Sequence, residues 1–292
     1  GKALLTPGEA QAFREKKIQQ FDSDSRVGAG SRDLAGAYNA FWFDRGTEVN
    51  EDLRTSLIID PIDGRLPDIT PAAMARLDKQ TRLRIPPVRD LVFNIDSAES
   101  RPTGPEVFGL SDRCLVGFNA GPPLVPSSYN NNLRIIQTPD YIVLVTEMIH
   151  DARIIPLDGR PHLSPEMRRW SGDSRGRWEG NILIVDTTNF TDKTPTFQLP
   201  GATRNLSASG GVGSGMTLHL TERFIPTGKG QLLYEYTIDD PSTFTSPFTV
   251  SIPMRSSEGP IFEYACHEGN RAVPNMLKGA RLLDSEDAVR SR

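Results

Sequence analysis

The part of the chain from Leu133 onward constrains the fold more than any other part of the sequence. It consists of short runs of strand-forming residues, separated by turn sequences such as Glu179-Gly180. The connections are too short for repeated crossover helices, so neighbouring strands are expected to pair antiparallel. The predicted strands cover residues 134–137, 141–148, 152–157, 168–178, 181–187, 216–224, 231–238, 248–253 and 260–266.

Alternation within these strands indicates a sheet with one buried side. In residues 231–238 the side chains at even positions are apolar or aromatic, and in residues 216–224 Glu222 intrudes on an otherwise apolar face. About nine antiparallel strands leave exposed edges unless the sheet closes on itself. The sequence therefore predicts a mainly β protein built on an antiparallel, lipocalin-like β-barrel, whose interior can hold a ligand.

We expect the chain to divide into an N-terminal arm and one barrel domain. Residues 1–53 would form a helix followed by an aromatic arm, and residues 54–292 would form the barrel. The barrel domain is expected to carry a helical insertion at about residues 70–115 and a helix at its C-terminal end. A few peripheral helices therefore accompany the predicted sheet.

Local signals support the N-terminal assignments. Thr6 and Glu9 match a capping box, which predicts that a helix begins there. Residues 37–46 contain four aromatic side chains, which favours an anchor packed on the core over the wall of a pocket. The Ser- and Gly-rich residues 201–215 are predicted to form a mobile loop or lid.

Charge and hydropathy exclude two classes of partner. A net charge of -4 and a pI of about 5.7 argue against nucleic acid, whose phosphates require a concentrated basic surface. No apolar run approaches the roughly 20 residues that span a bilayer. Residues 1–10 contain no basic region followed by an apolar one, so no export signal is expected within them.

Two cysteines, Cys114 and Cys266, lie far apart in the sequence. They would form either a disulfide that closes a long loop or two buried thiols. A disulfide would indicate a periplasmic or secreted protein.

Residues 129–162 hold the strongest candidate site, because polar side chains interrupt apolar strands there. Residues 141–148 are apolar on both faces, so Glu147 and the following His150 would point into a dry space. A buried carboxylate or histidine there would suit proton transfer. The alternative is structural, with Glu147 paired to Arg134 or Arg153 and His150 bonded to the backbone of a turn.

A composite pocket extends this hypothesis. His150 or Glu147 would move a proton, and Asp151 would orient a histidine. Tyr129, with Asn131 and Arg153, would orient an oxygen or stabilise negative charge. A second wall would come from EYACHEGN, residues 263–270, if the two segments meet in space. The expected substrate-binding side chains are Asn131, Arg134, Arg153, His162, Glu263 and His267.

Three functions are compatible with such a pocket. The first is a cofactor-independent lyase or isomerase that acts on a small, largely apolar or aromatic molecule. The second is a non-catalytic carrier of small molecules, and the third is a metal-dependent hydrolase using His150, His162 and His267. The histidine spacing matches no compact metal motif, and no nucleotide or hydrolase signature is present. We therefore expect no cofactor and no bound metal, with a small molecule as partner and a homo-oligomer also possible.

Four stretches carry a family resemblance, and they cover most of residues 54–281. They resemble a family of bacterial, β-rich proteins that are often exported and to which no activity is attached. The resemblance implies the fold and export but no reaction. The strand layout is also similar to lipocalin-type barrels, some of which are cofactor-independent lyases, hydratases or cyclases. The four stretches are RTSLIIDPIDGRLP, YNNNLRIIQTPDYIVLVTEMIHDARIIPLDGRPH, WSGDSRGRWEGNILIVDTTNFTDKT and GPIFEYACHEGN.

Overall fold

A computed structural model describes most of the chain: residues 2–21, 49–76, 101–127, 129–195, 197–198, 211–213 and 215–290. The aromatic arm at 37–46 lies outside these residues. So do most of the loop at 201–215 and the insertion between 77 and 100.

The described strands form three antiparallel sheets. The largest has six strands in the order β1-β11-β10-β9-β6-β5, a second has the order β2-β3-β4, and β7 pairs with β8. The strand bounds are β1 (Ile58–Asp60), β2 (Leu133–Gln137), β3 (Tyr141–Thr146), β4 (Ala152–Pro156), β5 (Asp173–Glu179), β6 (Ile182–Thr188), β7 (Phe197–Gln198), β8 (Gly211–Val212), β9 (His219–Gly228), β10 (Gln231–Asp239) and β11 (Phe248–Arg255).

The antiparallel, mainly β prediction is confirmed, but a closed barrel is not detected. Among the described strands, β1 and β5 form the two edges of the large sheet and do not pair with each other. The three-stranded sheet faces the large one and covers part of its apolar side. Alternation along a strand reports which side is buried, but it does not report what covers that side.

The main core lies between the two larger sheets. Ile142, Leu144 and Ile155 from the three-stranded sheet join one apolar cluster with side chains of the large sheet. Gly176 in β5 permits the close approach, because a Cβ atom there would lie 2.9 Å from the fully buried Ile155 side chain. The large-sheet members of the cluster include Leu183, Val185, Leu220, Phe224, Tyr234, Tyr236, Ile238, Phe248, Val250 and Ile252.

The helices lie outside this core, largely where the sequence predicts them. Helix α1 (Pro7–Phe21) begins with the predicted capping box, since the Thr6 amide donates to Glu9 Oε2 at 2.7 Å. Residues 71–76 are helical after Thr70, which accepts the Ala73 amide at 3.2 Å. The C-terminal helix is confirmed, and with the short helix before it the bounds are α2 (Cys266–Gly269) and α3 (Ala272–Arg290).

Two local predictions are wrong. Residues 260–265 are irregular and lead into α2, so the predicted last strand at 260–266 does not form. Around residues 104–115 the chain makes one 3-10 turn, Pro105–Val107, followed by turns. Cys114 has φ of 58°, which no helix tolerates, and both segments are held by tertiary contacts rather than by their own propensity.

The described N-terminal residues are hydrogen-bonded to the chain at residues 53–54, where the predicted barrel domain begins. Leu4 forms an isolated antiparallel bridge with Arg54, and the Leu5 amide donates to the Leu53 carbonyl at 2.8 Å. Among the helices that the structure describes, none has both the length and the apolar character required to cross a bilayer.

Candidate functional site

A buried ion pair joins the two larger sheets. Arg153 on β4 and Glu222 on β9 both project into the core, and the two guanidinium NH groups donate to the two carboxylate oxygens at 2.6 and 2.8 Å. The Tyr234 hydroxyl donates to Glu222 Oε1 at 2.7 Å and accepts the Leu124 amide at 3.1 Å. The carboxylate that interrupts the apolar face of β9 is thus bonded on both oxygens.

The charges of this pair stabilise each other. Burial opposes the charge of Arg153, but the charge and hydrogen bonds of Glu222 outweigh it and raise the pKa of the guanidinium. Burial, with the negative charge of Glu222, raises the pKa of Tyr234 well above its usual value. Arg153 is therefore a permanent cation, and Tyr234 is a neutral hydrogen-bond donor.

Arg153 also lines a cleft that contains a second charged group. The cleft has a cavity volume of about 10 Å³, roughly the room for one water molecule and far below the roughly 300–1,000 Å³ typical of sites for drug-sized ligands. The half-buried Asp151 accepts the Ala152 amide through Oδ1 at 2.9 Å, and the Ser171 hydroxyl lies 3.5 Å from Oδ2. The lining comprises Ala120, Gly121, Pro122, Leu124, Leu144, Thr146, Asp151, Arg153 and Ser171.

Glu147 and His150 lie at the end of β3 and contact the C-terminal segment. The Glu147 carboxylate is buried and accepts from Asn132 Nδ2 at 2.8 Å and from the Phe262 amide at 3.3 Å. His150 is exposed, and its Nδ1 lies 2.9 Å from the Tyr264 carbonyl. The two segments therefore meet. The alternative in which Glu147 pairs with Arg134 or Arg153 is wrong, because Glu147 is bonded to Asn132 and the Phe262 amide, and Glu222 binds Arg153.

The turn after Glu147 has an unusual backbone. Ile149 and His150 are consecutive residues with positive φ, of 61° and 45°. A β-branched residue rarely adopts this conformation, which costs about 1–3 kcal/mol per residue. The contact with Tyr264 and the burial of Ile149 against Ala120 and Met148 hold the turn in place.

The disulfide between Cys114 and Cys266 fastens the same region, and it settles a question that the sequence left open. Its Cα atoms are 5.8 Å apart. Beside it, Asn270 Nδ2 donates to the Asp112 carbonyl at 2.7 Å. The start of the C-terminal helices is thus linked to the loop that precedes β2.

A cluster of four polar side chains lies on the face of the large sheet that points away from the main core. The sequence did not predict these four residues as a set. His162 Nδ1 contacts Asp173 Oδ2, and His162 Nε2 contacts Asp186 Oδ1, both at 3.0 Å. His219 Nε2 lies 2.5 Å from the other oxygen of Asp186. Because both ring nitrogens of His162 face carboxylates, only the doubly protonated ring donates to both.

This His–Asp chain is further fixed at its Asp173 end. Arg175 donates to Asp173 Oδ1 at 2.8 Å, and the Leu163 amide donates to Oδ2 at 2.9 Å. Burial opposes ionisation of Asp173, but these two donors and His162 lower the pKa of its carboxyl group. The chain therefore clamps the loop before β5 onto three strands of the sheet.

The pKa values of Asp186 and His219 are displaced in opposite directions. Burial opposes the charge of Asp186, but the bonds from His219 and His162 outweigh it and lower the pKa of the carboxyl group. The bond to Asp186 raises the pKa of His219, against partial burial of the ring. In sequence, the only signals were the polar face of β9 that holds His219 and the carboxylate that interrupts the apolar run of β6.

The Asp186–His219 pair is expected to make the free energy of unfolding depend on pH. Stabilisation from the raised pKa of His219 is complete below about 6.5, the unfolded value, and is lost as pH rises through the folded pKa. Stabilisation from the lowered pKa of Asp186 is present above about 3.9 and is lost as pH falls through the folded pKa. Because the His219 ring is half exposed, we expect His219→Gln to cost about 0.5–1 kcal/mol at pH 6 and close to nothing at pH 9.

Urea unfolding of the wild type and the variant at both pH values measures this difference. His267→Gln is the control, since His267 is exposed on α2, and it should show no pH-dependent change. Equal losses at pH 6 and pH 9 for His219→Gln would show that the ring contributes by packing rather than by charge.

The remaining predicted site residues do not line the cleft. The Tyr129 ring contacts the edge of Phe118, with centroids 5.5 Å apart. Asn131 closes a turn, bonding the Ser127 amide at 2.9 Å and its carbonyl at 2.7 Å. Arg134 lies on the outer face of β2, and Glu263 and His267 are exposed near the disulfide. Of the ten predicted residues, the structure brings only Asp151 and Arg153 together in this cleft.

Within the described ranges, no group of three or more His, Cys, Asp or Glu side chains is arranged to hold a metal ion. No family model matches the sequence, and neither a curated protein nor a solved structure matches it.

Proposed function

We propose that the protein is a cofactor-independent acid–base enzyme, a lyase or isomerase that acts on a small molecule in the cleft beside Arg153. One observation carries the proposal: a cation fixed by a buried carboxylate lines the same cleft as the half-buried carboxylate of Asp151. A fixed positive charge next to a carboxylate is suited to removing a proton beside a carbonyl group.

Each polar group in the cleft has a role in such a reaction. Asp151 takes the proton from the carbon next to the carbonyl, and the C–H electron pair moves into the carbonyl to form an enolate. Arg153 stabilises the negative oxygen. The hydroxyl groups of Ser171 and Thr146 orient the substrate. Return of the proton to a neighbouring carbon completes an isomerisation, and expulsion of a leaving group completes an elimination.

The proton-transfer step is assigned to Asp151 rather than to Glu147 or His150. Glu147 is bonded by an amide side chain and a backbone amide, and His150 is directed at a backbone carbonyl. Both groups instead support the turn that begins β4, and β4 carries Arg153. The cleft has room for about one water molecule, so the proposal requires it to widen around a substrate of few heavy atoms.

We further propose a lipocalin-like arrangement in which the three-stranded sheet completes the wall left open by the six-stranded sheet. The Arg153–Glu222 pair between the sheets supports this arrangement. We also propose a periplasmic or secreted location, which the disulfide supports because such bonds persist in oxidising compartments.

A non-catalytic carrier is the second candidate function. The apolar part of the cleft lining, including Leu124 and Leu144, supports it. A carrier would bind the same small carbonyl compounds but would not exchange their protons.

Proton exchange detected by NMR tests the proposal without a known substrate. Small ketones, aldehydes and 2-oxo acids are incubated with the protein in D2O, and deuterium at the carbon next to the carbonyl is followed. We expect the wild type to incorporate deuterium into at least one compound, and Asp151→Asn to lose about 100-fold or more of that rate. Asp158→Asn is the control, because Asp158 is exposed and pairs with Arg160.

Saturation-transfer NMR on the same mixture separates the outcomes. Binding without deuterium incorporation by the wild type favours the carrier. If the wild type shows no binding and no incorporation, both proposed functions are overturned. Incorporation that Asp151→Asn leaves unchanged overturns the assignment of Asp151.

A further inference from the structure

One segment of the chain separates the cleft beside Arg153 from a second cavity. Gly121 and Pro122 line the cleft, and they also line a neighbouring cavity of about 20 Å³. Apart from Thr194, the second cavity is lined by apolar residues and glycine. Its lining comprises Val116, Phe118, Gly121, Pro122, Pro123, Val125, Thr194 and Pro195. A cleft with charged groups and an apolar cavity thus share one wall.

The shared wall belongs to a short loop whose two ends are fixed. The Val125 amide donates to the Asn119 carbonyl at 3.4 Å, which closes the base of the loop. The Asn119 side chain is buried, and its Nδ2 donates to the carbonyls of Tyr129 and Asn130, both at 3.1 Å. Residues 120–124 therefore leave and rejoin the body of the protein at nearly the same place.

The middle of this loop is held by packing and by one hydrogen bond at its end. No other described residue hydrogen-bonds to the backbone of Gly121, Pro122 or Pro123, and neither proline carries an N–H. The Leu124 amide donates to the Tyr234 hydroxyl at 3.1 Å. Segments with few backbone hydrogen bonds open at a lower free energy than core strands.

The opposite wall of the cleft is held more firmly. Arg153 makes two hydrogen bonds to Glu222, and the same carboxylate accepts the Tyr234 hydroxyl. Tyr234 thus connects the two walls, directly at the loop and through Glu222 at Arg153. When the cleft widens, the loop is the wall with fewer hydrogen bonds to break.

We propose that residues 120–124 form a movable partition, and that its displacement joins the cleft and the second cavity into one elongated site. The joined site takes a molecule with a carbonyl or carboxylate head beside Arg153 and an apolar body beside Phe118 and Val125. The Tyr234 hydroxyl keeps the partition closed. The class of ligand rests on the proposed function, whereas the movement of the loop does not.

Hydrogen exchange of single amides, followed by NMR at increasing low concentrations of urea, tests the movement without a ligand. The Gly121 and Leu124 amides are expected to exchange at least about 100-fold faster than the amides of β3, at rates that urea barely changes. Tyr234→Phe should raise the Leu124 rate by about 5-fold, since it removes the acceptor. Tyr236→Phe is the control, because among the described residues the hydroxyl of Tyr236 bonds neither Leu124 nor Glu222. Exchange of Leu124 with the same urea dependence as β3 overturns the partition, and an unchanged rate in Tyr234→Phe overturns the role of Tyr234.

Two 2-oxo acids with the same head test the joined site in NMR titrations. α-Ketoisocaproate has three more apolar carbons than pyruvate, so we expect it to bind at least about 10-fold more tightly. Val125→Phe fills the second cavity and should remove this difference without changing the affinity for pyruvate. Ile62→Phe, at a residue that is 92% exposed, should change neither affinity. Val125→Leu is the smaller replacement if the phenylalanine variant does not fold.

The outcomes separate the joined site from the proposed reaction. Equal affinities for the two acids, or no binding of either, overturn the joined site, as does a Val125→Phe protein that keeps the difference. Tighter binding of α-ketoisocaproate without deuterium incorporation supports the joined site and counts against the enzyme alone. Folding of each variant is checked by its circular dichroism and urea midpoint.

Discussion

Replacement of Glu222 by alanine is expected to lower the free energy of unfolding by about 3–5 kcal/mol. The substitution leaves the Arg153 guanidinium in the core without its carboxylate partner, and it leaves the Tyr234 hydroxyl without an acceptor. An unpaired buried charge costs far more than an exposed one, because no water replaces the lost contacts. Urea unfolding measures the difference.

The matched control is Glu179→Ala, which breaks an exposed pair with Arg177 and should cost less than about 1 kcal/mol. Glu222→Gln keeps the shape of the side chain, so it provides a measurable variant if the alanine protein does not fold. The double variant Arg153→Met with Glu222→Leu should be more stable than Glu222→Ala, because it removes both charges together. A loss below about 1 kcal/mol for Glu222→Ala would mean that water reaches Arg153.

Loss of the Cys114–Cys266 disulfide is expected to cost about 2–5 kcal/mol. The bond joins residues 152 positions apart, so the loop it closes includes β2 to β11. Chain entropy for a loop of this length predicts about 5 kcal/mol at 25 °C, and measured effects are often smaller. Urea unfolding with and without reductant measures the effect.

The double variant Cys114→Ser and Cys266→Ser is the control for this experiment. It should unfold at the same urea concentration as the reduced wild type, and reductant should not change its midpoint. Reduction that shifts the free energy of unfolding by less than about 1 kcal/mol would show that the remaining contacts of the C-terminal segment already constrain the unfolded chain.

Local sequence signals correctly predicted features that depend on residues close together in the chain. The capping box at Thr6 and the C-terminal helix follow from hydrogen bonds and propensities within a few positions. Alternation correctly assigned the buried face of β10, and it identified Glu222 as a carboxylate that faces the core. Each of these features repeats with a period, or has a residue spacing, that can be seen within one short segment of sequence.

Long-range pairing was not predictable in the same way. Arg153 pairs with Glu222, 69 residues away, and not with Glu147, six positions before it. His162, Asp173, Asp186 and His219 come together from a loop and three strands. Each residue taken alone has several possible partners, and the sequence pattern does not rank them.

The sequence by itself determined most of the strands, the buried faces of β9 and β10 and the helix start at Thr6, because burial periodicity and capping act along the chain. Only the tertiary structure decided how the strands divide among the sheets, that residues 260–265 are irregular, and that Cys114 joins Cys266. The physical reason is that buried charges and cysteines take the partner that packing across the core brings within bonding distance. That distance depends on how whole sheets stack, which no single segment encodes.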